Sequence, residues 1–256
     1  MIFSNLIQTN LRTRTFGKQI EYYNRLESTN EEAWELIDET AVHHGALVIT
    51  DHQFAGKGRG KNSWFMSPSK GLAMSLILLE SITAEKAGLI PLAAGAAAAK
   101  ALENRGSSPK LKWPNDILIN EKKVGGILCE SRLAGQQVRA IVVGIGLNIN
   151  ETEMDFPDEL KESATSLNLM TGHVHQRELV AAIVITFFEQ YWEKLQQVPQ
   201  EIIRDWTQYC GHLNQPISFK DRGNTHTGIF KKVDKNGYAC IEIDGEDQVF
   251  HSVILN

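Results

Sequence analysis

The chain has 256 residues, 42% of them hydrophobic and 22% charged, a balance that can bury a sizeable core without disulfide staples. Its formal net charge of −5 argues against a general nucleic-acid binder, which presents a basic surface. The three cysteines, Cys129, Cys210 and Cys240, are scattered without a Cys-x-x-Cys pair, so neither a zinc site nor a disulfide framework is indicated, and a reducing cytosol fits.

Residues 1 to about 18 read as a mixed polar leader. They show no signal-peptide pattern and are too short for a helix-turn-helix domain. No later apolar stretch is long enough to span a bilayer, so no membrane role and a cytoplasmic location are expected. Residues 20–26 read as a strand. Thr29 and Glu32 form a capping-box pattern at the start of a helix over residues 31–37. Ser28, Thr29 and Asn30 either cap that helix or offer hydrogen bonds to a polar ligand head. Residues 46–50 read as a buried strand.

From Gln53 to Trp64, Gly56, Gly58 and Gly60 alternate with Lys57, Arg59 and Lys61. Glycine lets backbone approach a ligand closely, and the cations suit an arriving anion. This is not a P-loop, because Asn62 follows Gly60-Lys61 and Ala55 occupies the first glycine position. Residues 71–79 read as a strand, followed by an alanine-rich helix to about Asn104. Residues 110–119 read as one strand interrupted at Trp113-Pro114, since proline lacks the ladder donor. Residues 123–130 and 138–148 are two further strands. Their glycines, Gly125, Gly126, Gly144 and Gly146, serve either close packing or a ligand lying on the backbone. Ile149 stands at the third glycine position of a dinucleotide fingerprint, which excludes that motif.

Residues 150–175 read as an acidic loop. Val180, Val184, Phe188, Tyr191 and Leu195 recur at helical spacing, and Pro199 restarts a helix through Cys210. Composition shifts at residues 211–214. From Pro216, turn signals at 221–224, 235–237 and 244–245 punctuate short strands. Two domains are expected, 1–211 and 212–256. No histidine has a partner at dependable metal spacing, and no Gly-x-Ser-x-Gly elbow occurs, so a covalent enzyme nucleophile is not expected.

Ser28-Thr-Asn30, Gln53 with Gly56-Lys-Gly-Arg59 and Trp64, Lys112-Trp-Pro-Asn-Asp116, Lys123-Val-Gly-Gly-Ile127 and Gly144-Ile-Gly-Leu-Asn148 together resemble the biotin–protein ligases, in kind and in order. The resemblance implies an α+β fold: a mixed β-sheet backed by helices, like class II synthetases, with a small C-terminal SH3-like β-barrel. It implies formation of biotinyl-5′-AMP from biotin and Mg-ATP, then transfer of biotin to a lysine of a biotin carboxyl carrier domain. It assigns Ser28, Thr29, Asn30, Gln53, Lys57, Gly58, Arg59, Lys123 and Gly126 to biotin. Lys57, Arg59, Trp64, Lys112, Asn115, Lys123 and Asn148 go to ATP or the adenylate. Lys123 and Arg59 are the expected catalytic cations, because a carboxylate attacking a phosphate brings two anions together. Asn115 and Asp116 orient the site or magnesium, whose ligands stay unassigned.

Lys57, Lys61 and Asn62 depart from the residues commonest in that family at those positions. Its regulatory members carry an N-terminal DNA-binding domain for which the short leader leaves no room, so no specific DNA binding is expected. A homodimer is compatible with the pattern. Two other readings remain: a lipoate or octanoate protein ligase or transferase of related fold, and a nucleic-acid-binding module using the basic loop and the β tail.

Overall fold

A computed structural model of the chain describes residues 1–60, 62–135, 137–221 and 223–255, so Lys61 lies outside the described residues. The elements up to the end of the large sheet are α1 (Ser4–Asn10), β1 (Ile20–Tyr23), α2 (Thr29–Asp38), β2 (Leu47–Thr50), β3 (Gly56–Lys57), β4 (Ser63–Trp64), β5 (Leu72–Leu78), β6 (Ile82–Thr83), α3 (Ala84–Ala87), α4 (Ile90–Asn104), β7 (Lys110–Lys112), β8 (Asp116–Ile119), β9 (Lys122–Ala134) and β10 (Gln137–Leu147). Then come α5 (Leu167–Thr171), α6 (Arg177–Gln197) and α7 (Gln200–Tyr209), and last β11 (Pro216–Asp221), β12 (Asn224–Val233), β13 (Ala239–Ile243), β14 (Glu246–Phe250) and β15 (Ile254–Leu255). The large sheet runs β1-β2-β5-β10-β9-β8-β7, with β6 added on β10. It is mixed as expected: β1 and β2 are parallel and the other pairs antiparallel.

Period-two alternation decides what each face does. Leu47 and Ile49, Leu72, Met74 and Leu76, and Ile141, Val143 and Ile145 point to one face. There they meet Leu92 of α4, Val180, Val184 and Phe188 of α6, and Trp206 of α7. Each such buried side chain contributes roughly 1.5–3 kcal/mol, so this side anchors the sheet. On the opposite face Val48, Ile77 and Val142 pack under Ala33 of α2 and Leu26, a smaller cluster. Most of the next positions on that face are small. Register aligns Ser75, Gly144 and Leu128 in one row and Ala73, Gly146 and Gly126 in the next. With Leu128 the one large side chain in these rows, the sheet leaves a hollow beside the start of α2.

Four expectations are corrected. The N-terminal leader contains α1, whose Ile7 is buried, and backbone amides tie it down: Ile2 N–H donates to Asp51 Oδ2 (2.8 Å) and Phe3 N–H to Glu178 Oε1 (3.0 Å). The capping box at α2 does not form, because Ser28 is the N-cap and no side chain caps the helix. Residues 110–119 form a hairpin, β7–turn–β8, with a cis Trp113–Pro114 peptide in its turn, rather than one interrupted strand. Residues 150–175 are not all loop; they hold two 3₁₀ turns and α5.

The C-terminal strands form an antiparallel sheet in the order β14-β13-β12-β11-β15. Pairings among the described residues leave β14 and β15 as its edges, an open sheet where a closed barrel was expected. Asp244 and Gly245 both have positive φ (51° and 86°), which gives the tight β13–β14 turn. The sheet is docked on the larger one. Trp113 Nε1–H donates to Gly237 O at 3.1 Å, and a side chain at Gly88 would strike Asn236 O.

Candidate active site

The hollow is a cavity of about 420 Å³. Its walls are the start of α2, the β3–β4 hairpin, the β7–β8 turn and the segment after β14. Ser28, Thr29, Asn30, Gln53, Lys57, Gly58, Arg59, Trp64, Lys112, Asn115, Lys123 and Gly126 all line it. Asn148 does not. It is buried behind the cavity, where its Nδ2 donates to Thr165 O (2.9 Å) and its N–H to Val124 O (2.8 Å). Asn148 therefore braces the start of β9 from behind.

One end is a buried polar network. The first helical residue of α2 has an orphan amide, as helix starts do. Here that amide, Thr29 N–H, donates to Gln53 Oε1 at 2.8 Å, and Thr29 Oγ1 lies 3.2 Å from the same oxygen. Ser75 Oγ lies 2.7 Å from both Thr29 Oγ1 and Asn30 Oδ1. Asn30 Nδ2 donates to Leu128 O (3.3 Å) and Glu130 Oε2 (2.7 Å). Freed from capping, Ser28, Thr29 and Asn30 turn their polar groups toward the cavity, where they suit a small neutral head bearing both donors and acceptors.

The other end is cationic. Regular alternation would put Lys123 and Gly126 on opposite faces. A bulge opposite Ile117 and Leu118 changes the parity, so both face the cavity while Val124 and Ile127 join the core. Lys123 Nζ sits 2.6 Å from Asp116 Oδ1 and 5.9 Å from the Trp64 ring centre. Arg59 Nη1 donates to Asn115 Oδ1 at 3.4 Å and Nη2 to Ser252 Oγ at 2.6 Å. Burial lowers the Arg59 pKa, and Asp116 opposes the shift. Lys57 is paired outward with Glu31 of α2, a hydrogen bond that raises its pKa. Trp64 lies against the backbone of Gly146, where a Cβ would be 2.5 Å from Trp64 Cε2.

Three contributors escape the sequence reading. Ser75 has a signal, as the one polar residue in the apolar run of β5. Glu130 has a weaker one, its place two residues beyond Leu128 on the same strand face. Residues 252–255 line the cavity from the C-terminal sheet, and nothing local in sequence marks them. Among the described residues no group of three or more His, Cys, Asp or Glu side chains stands ready to hold a metal.

Residues 22–148 match the sequence profile of the biotin/lipoate A/B protein ligase family. The bifunctional ligase/repressor BirA of Bacillus subtilis is 34% identical over 92% of this chain and 73% of its own length. The biotin–[acetyl-CoA-carboxylase] ligase of Paracoccus denitrificans is 33% identical over 83% of this chain and 90% of its own. The solved biotin protein ligase of Aquifex aeolicus, in complex with biotin and ATP, superposes with a TM-score of 0.79 at 26% identity, covering 93% of this chain and 99% of that one. A neutral polar head site and a cationic end meeting over a glycine floor, on the fold and sequence of these relatives, establish that the chain belongs to the biotin–protein ligases of the biotin/lipoate A/B protein ligase family.

Proposed function

We propose that the chain ligates biotin to a lysine of a biotin carboxyl carrier domain, at the expense of ATP and through biotinyl-5′-AMP. The observation that carries this reading is the convergence of Ser28, Thr29, Asn30 and Gln53 with Arg59 and Lys123 in one cavity. The head of biotin binds the polar network, and its chain crosses Gly126 and Gly146 toward the cations. A biotin carboxylate oxygen then attacks the α-phosphorus as the bond to pyrophosphate breaks. Lys123 and Arg59 stabilise charge on both anions, and alignment of the reactants supplies much of the remaining acceleration. In the second step the neutral amine of the carrier lysine attacks the acyl carbon and AMP leaves.

On this reading Trp64 packs on the adenylate and Lys112 serves the triphosphate side. Lys57, held by Glu31, contributes charge and helps fix the loop. Asn148 acts indirectly, by bracing the strand that carries Lys123. Asp116 faces the cavity as a single carboxylate, a donor that suits magnesium arriving on a triphosphate. Residues 212–256 would form a separate SH3-like unit that closes over the nucleotide, since residues 252–255 line the cavity. Among the described residues no helix is long and apolar enough to cross a membrane; a cytoplasmic location is part of this proposal. A homodimer is compatible with this scheme. With a net charge of −5, the chain should bind no operator in a gel shift at ~100 mM salt. Saturable, sequence-dependent binding would reverse that last point.

The reaction is tested by incubating the protein with ATP and, separately, biotin, lipoate or octanoate, and following acyl-adenylate by mass spectrometry. Biotinyl-adenylate alone is expected. Lipoyl- or octanoyl-adenylate in its place would move the chain to the related ligases, and no adenylate with any acid would overturn the reading.

A further inference from the structure

The head-group network has a direction, and one carboxylate sets it. Glu130 lies on β9 with Leu128, and Asn30 Nδ2 reaches Glu130 Oε2 at 2.7 Å and Leu128 O at 3.3 Å. Both partners are acceptors with no proton to give, so the NH₂ end of the Asn30 amide must face them. The Asn30 carbonyl then faces Ser75 Oγ at 2.7 Å and obliges that hydroxyl to donate. Ser75 has one proton. Once it goes to Asn30, the Thr29 hydroxyl has its single proton to share between Ser75 Oγ at 2.7 Å and Gln53 Oε1 at 3.2 Å, and keeps a lone pair that accepts. Gln53 Oε1 is already occupied by the Thr29 amide, so the NH₂ end of Gln53 is left to donate.

We propose that Glu130 is a positioning residue whose carboxylate locks the Asn30 amide and thereby gives the head site the polarity that selects a cyclic urea; the assignment of a urea head rests on the biotin-ligase reading above. In the resulting order, lone pairs of Asn30 Oδ1 and Thr29 Oγ1 meet ring N–H groups, and Gln53 supplies N–H to a carbonyl. Glu130 does not line the cavity and touches no substrate. It acts through Asn30, whose carbonyl lies against Gly144, where a Cβ would overlap it. A glutamine at this position has about the same size as Glu130 but presents either a donor or an acceptor. It therefore permits the flipped amide and a mixed polarity.

The test compares wild type, Glu130→Gln, Asn30→Asp and the double variant Asn30→Asp/Glu130→Gln. Biotin affinity is read by calorimetry, and pyrophosphate release by steady-state kinetics. Glu130→Gln should weaken biotin binding and raise its KM about tenfold, with far smaller changes in kcat and in the KM for ATP. Asn30→Asp should weaken binding further, because it sets two carboxylates within hydrogen-bonding distance. The double variant should bind biotin better than Asn30→Asp alone, since its new carboxylate can accept both from the amide that Glu130→Gln introduces and from Ser75. A role confined to folding would lower the active fraction, and so kcat, and leave the KM for biotin in place. Wild-type biotin affinity in Glu130→Gln, or no recovery in the double variant, overturns the proposal. Calorimetry keeps this outcome separate from the ligase reading, which fails only if wild type forms no biotinyl-adenylate.

Discussion

The Arg59 guanidinium donates to the Ser252 hydroxyl at 2.6 Å, joining the β3–β4 loop to the segment between β14 and β15. Both residues line the cavity. Hydrogen bonds to charged groups are the stronger kind, although this one is partly exposed. Ser252→Ala should raise the KM for ATP roughly three- to tenfold and leave biotin affinity nearly unchanged, because the head site is elsewhere. Ser252→Thr should behave as wild type. Equal losses for biotin and ATP would mean that the contact serves the whole fold.

Lys123 carries a different kind of prediction. Its side chain is 39% exposed and paired with Asp116, so its removal should shift the melting temperature little. If Lys123 bridges carboxylate and phosphate, Lys123→Ala should slow biotinyl-adenylate formation by roughly 10²–10³-fold or more. Pyrophosphate release near the wild-type rate would remove Lys123 from the chemistry.

Gly146 is a test of the floor. A Cβ there would sit 2.5 Å from Trp64 Cε2 and 2.7 Å from Nε1, so the indole must move. Gly146→Ala should cost about 1–3 kcal/mol in urea unfolding and weaken adenylate retention more than biotin binding. Wild-type stability together with wild-type adenylate retention would show that Trp64 shifts without consequence.

These residues show why some of the site was legible in sequence and some was not. Gly144 and Gly146 alternate within a run of β-branched and leucine residues, so period two alone puts both on one face. Lys123 is different. Its aim depends on a bulge that no local signal announces, and without the bulge it would point into the core. Ser28, Thr29 and Asn30 look like caps because capping is the commonest use of such residues. Only the distant partners Gln53 and Ser75 reveal another use. Asn148 shares a motif with Gly144 and Gly146, yet its strand has ended and its side chain turns away from the cavity. The tail residues 252–255 reach the site through docking of one sheet on another, which sequence periodicity does not encode. The N-terminal α1 escapes a sequence reading for a similar reason. The amides just before it, of Ile2 and Phe3, are satisfied by Asp51 and Glu178, carboxylates 49 and 175 residues away from their partners.

The glycine-rich loop should respond to ligand. Gly58 N–H donates to Asn62 O at 2.8 Å, and Asn62 N–H to Arg59 O at 3.3 Å, so backbone bonds draw the tip into a narrow hairpin. Biotin or its adenylate would add contacts at Gly58 and Arg59. Amide exchange across residues 54–64 should therefore slow when biotin is added, and more with biotin plus ATP. Exchange that ignores both ligands would argue that the loop closes without them.

The last prediction concerns Glu151, three residues beyond Asn148. It is fully buried, and neither carboxylate oxygen has a hydrogen-bond partner among the described residues. One oxygen lies close against Gly71, just before β5. Burial pushes its pKa from 4.5 up to about 7; Asp155 adds to the rise, while nearby backbone amides and Arg177 offset only part of it. The folded protein thus holds this proton at pH values where the unfolded chain has lost it. Stability from this group is present below the unfolded pKa and falls as pH rises from 4.5 to about 7, by roughly 3 kcal/mol in all. Half-buried His212, pushed down to about 4 mainly by loss of solvent, works in the opposite direction, so the wild-type profile alone is ambiguous. The difference between wild type and Glu151→Gln isolates the carboxylate, because glutamine does not titrate and His212 is common to both. Its slope is the informative quantity, since a buried amide without a partner shifts both ends alike. Urea unfolding at pH 5, 6, 7 and 8 should show Glu151→Gln gaining on wild type up to about pH 7 and holding level above it. A difference that stays flat from pH 5 to 8 would mean that Glu151 finds a compensating partner in solution.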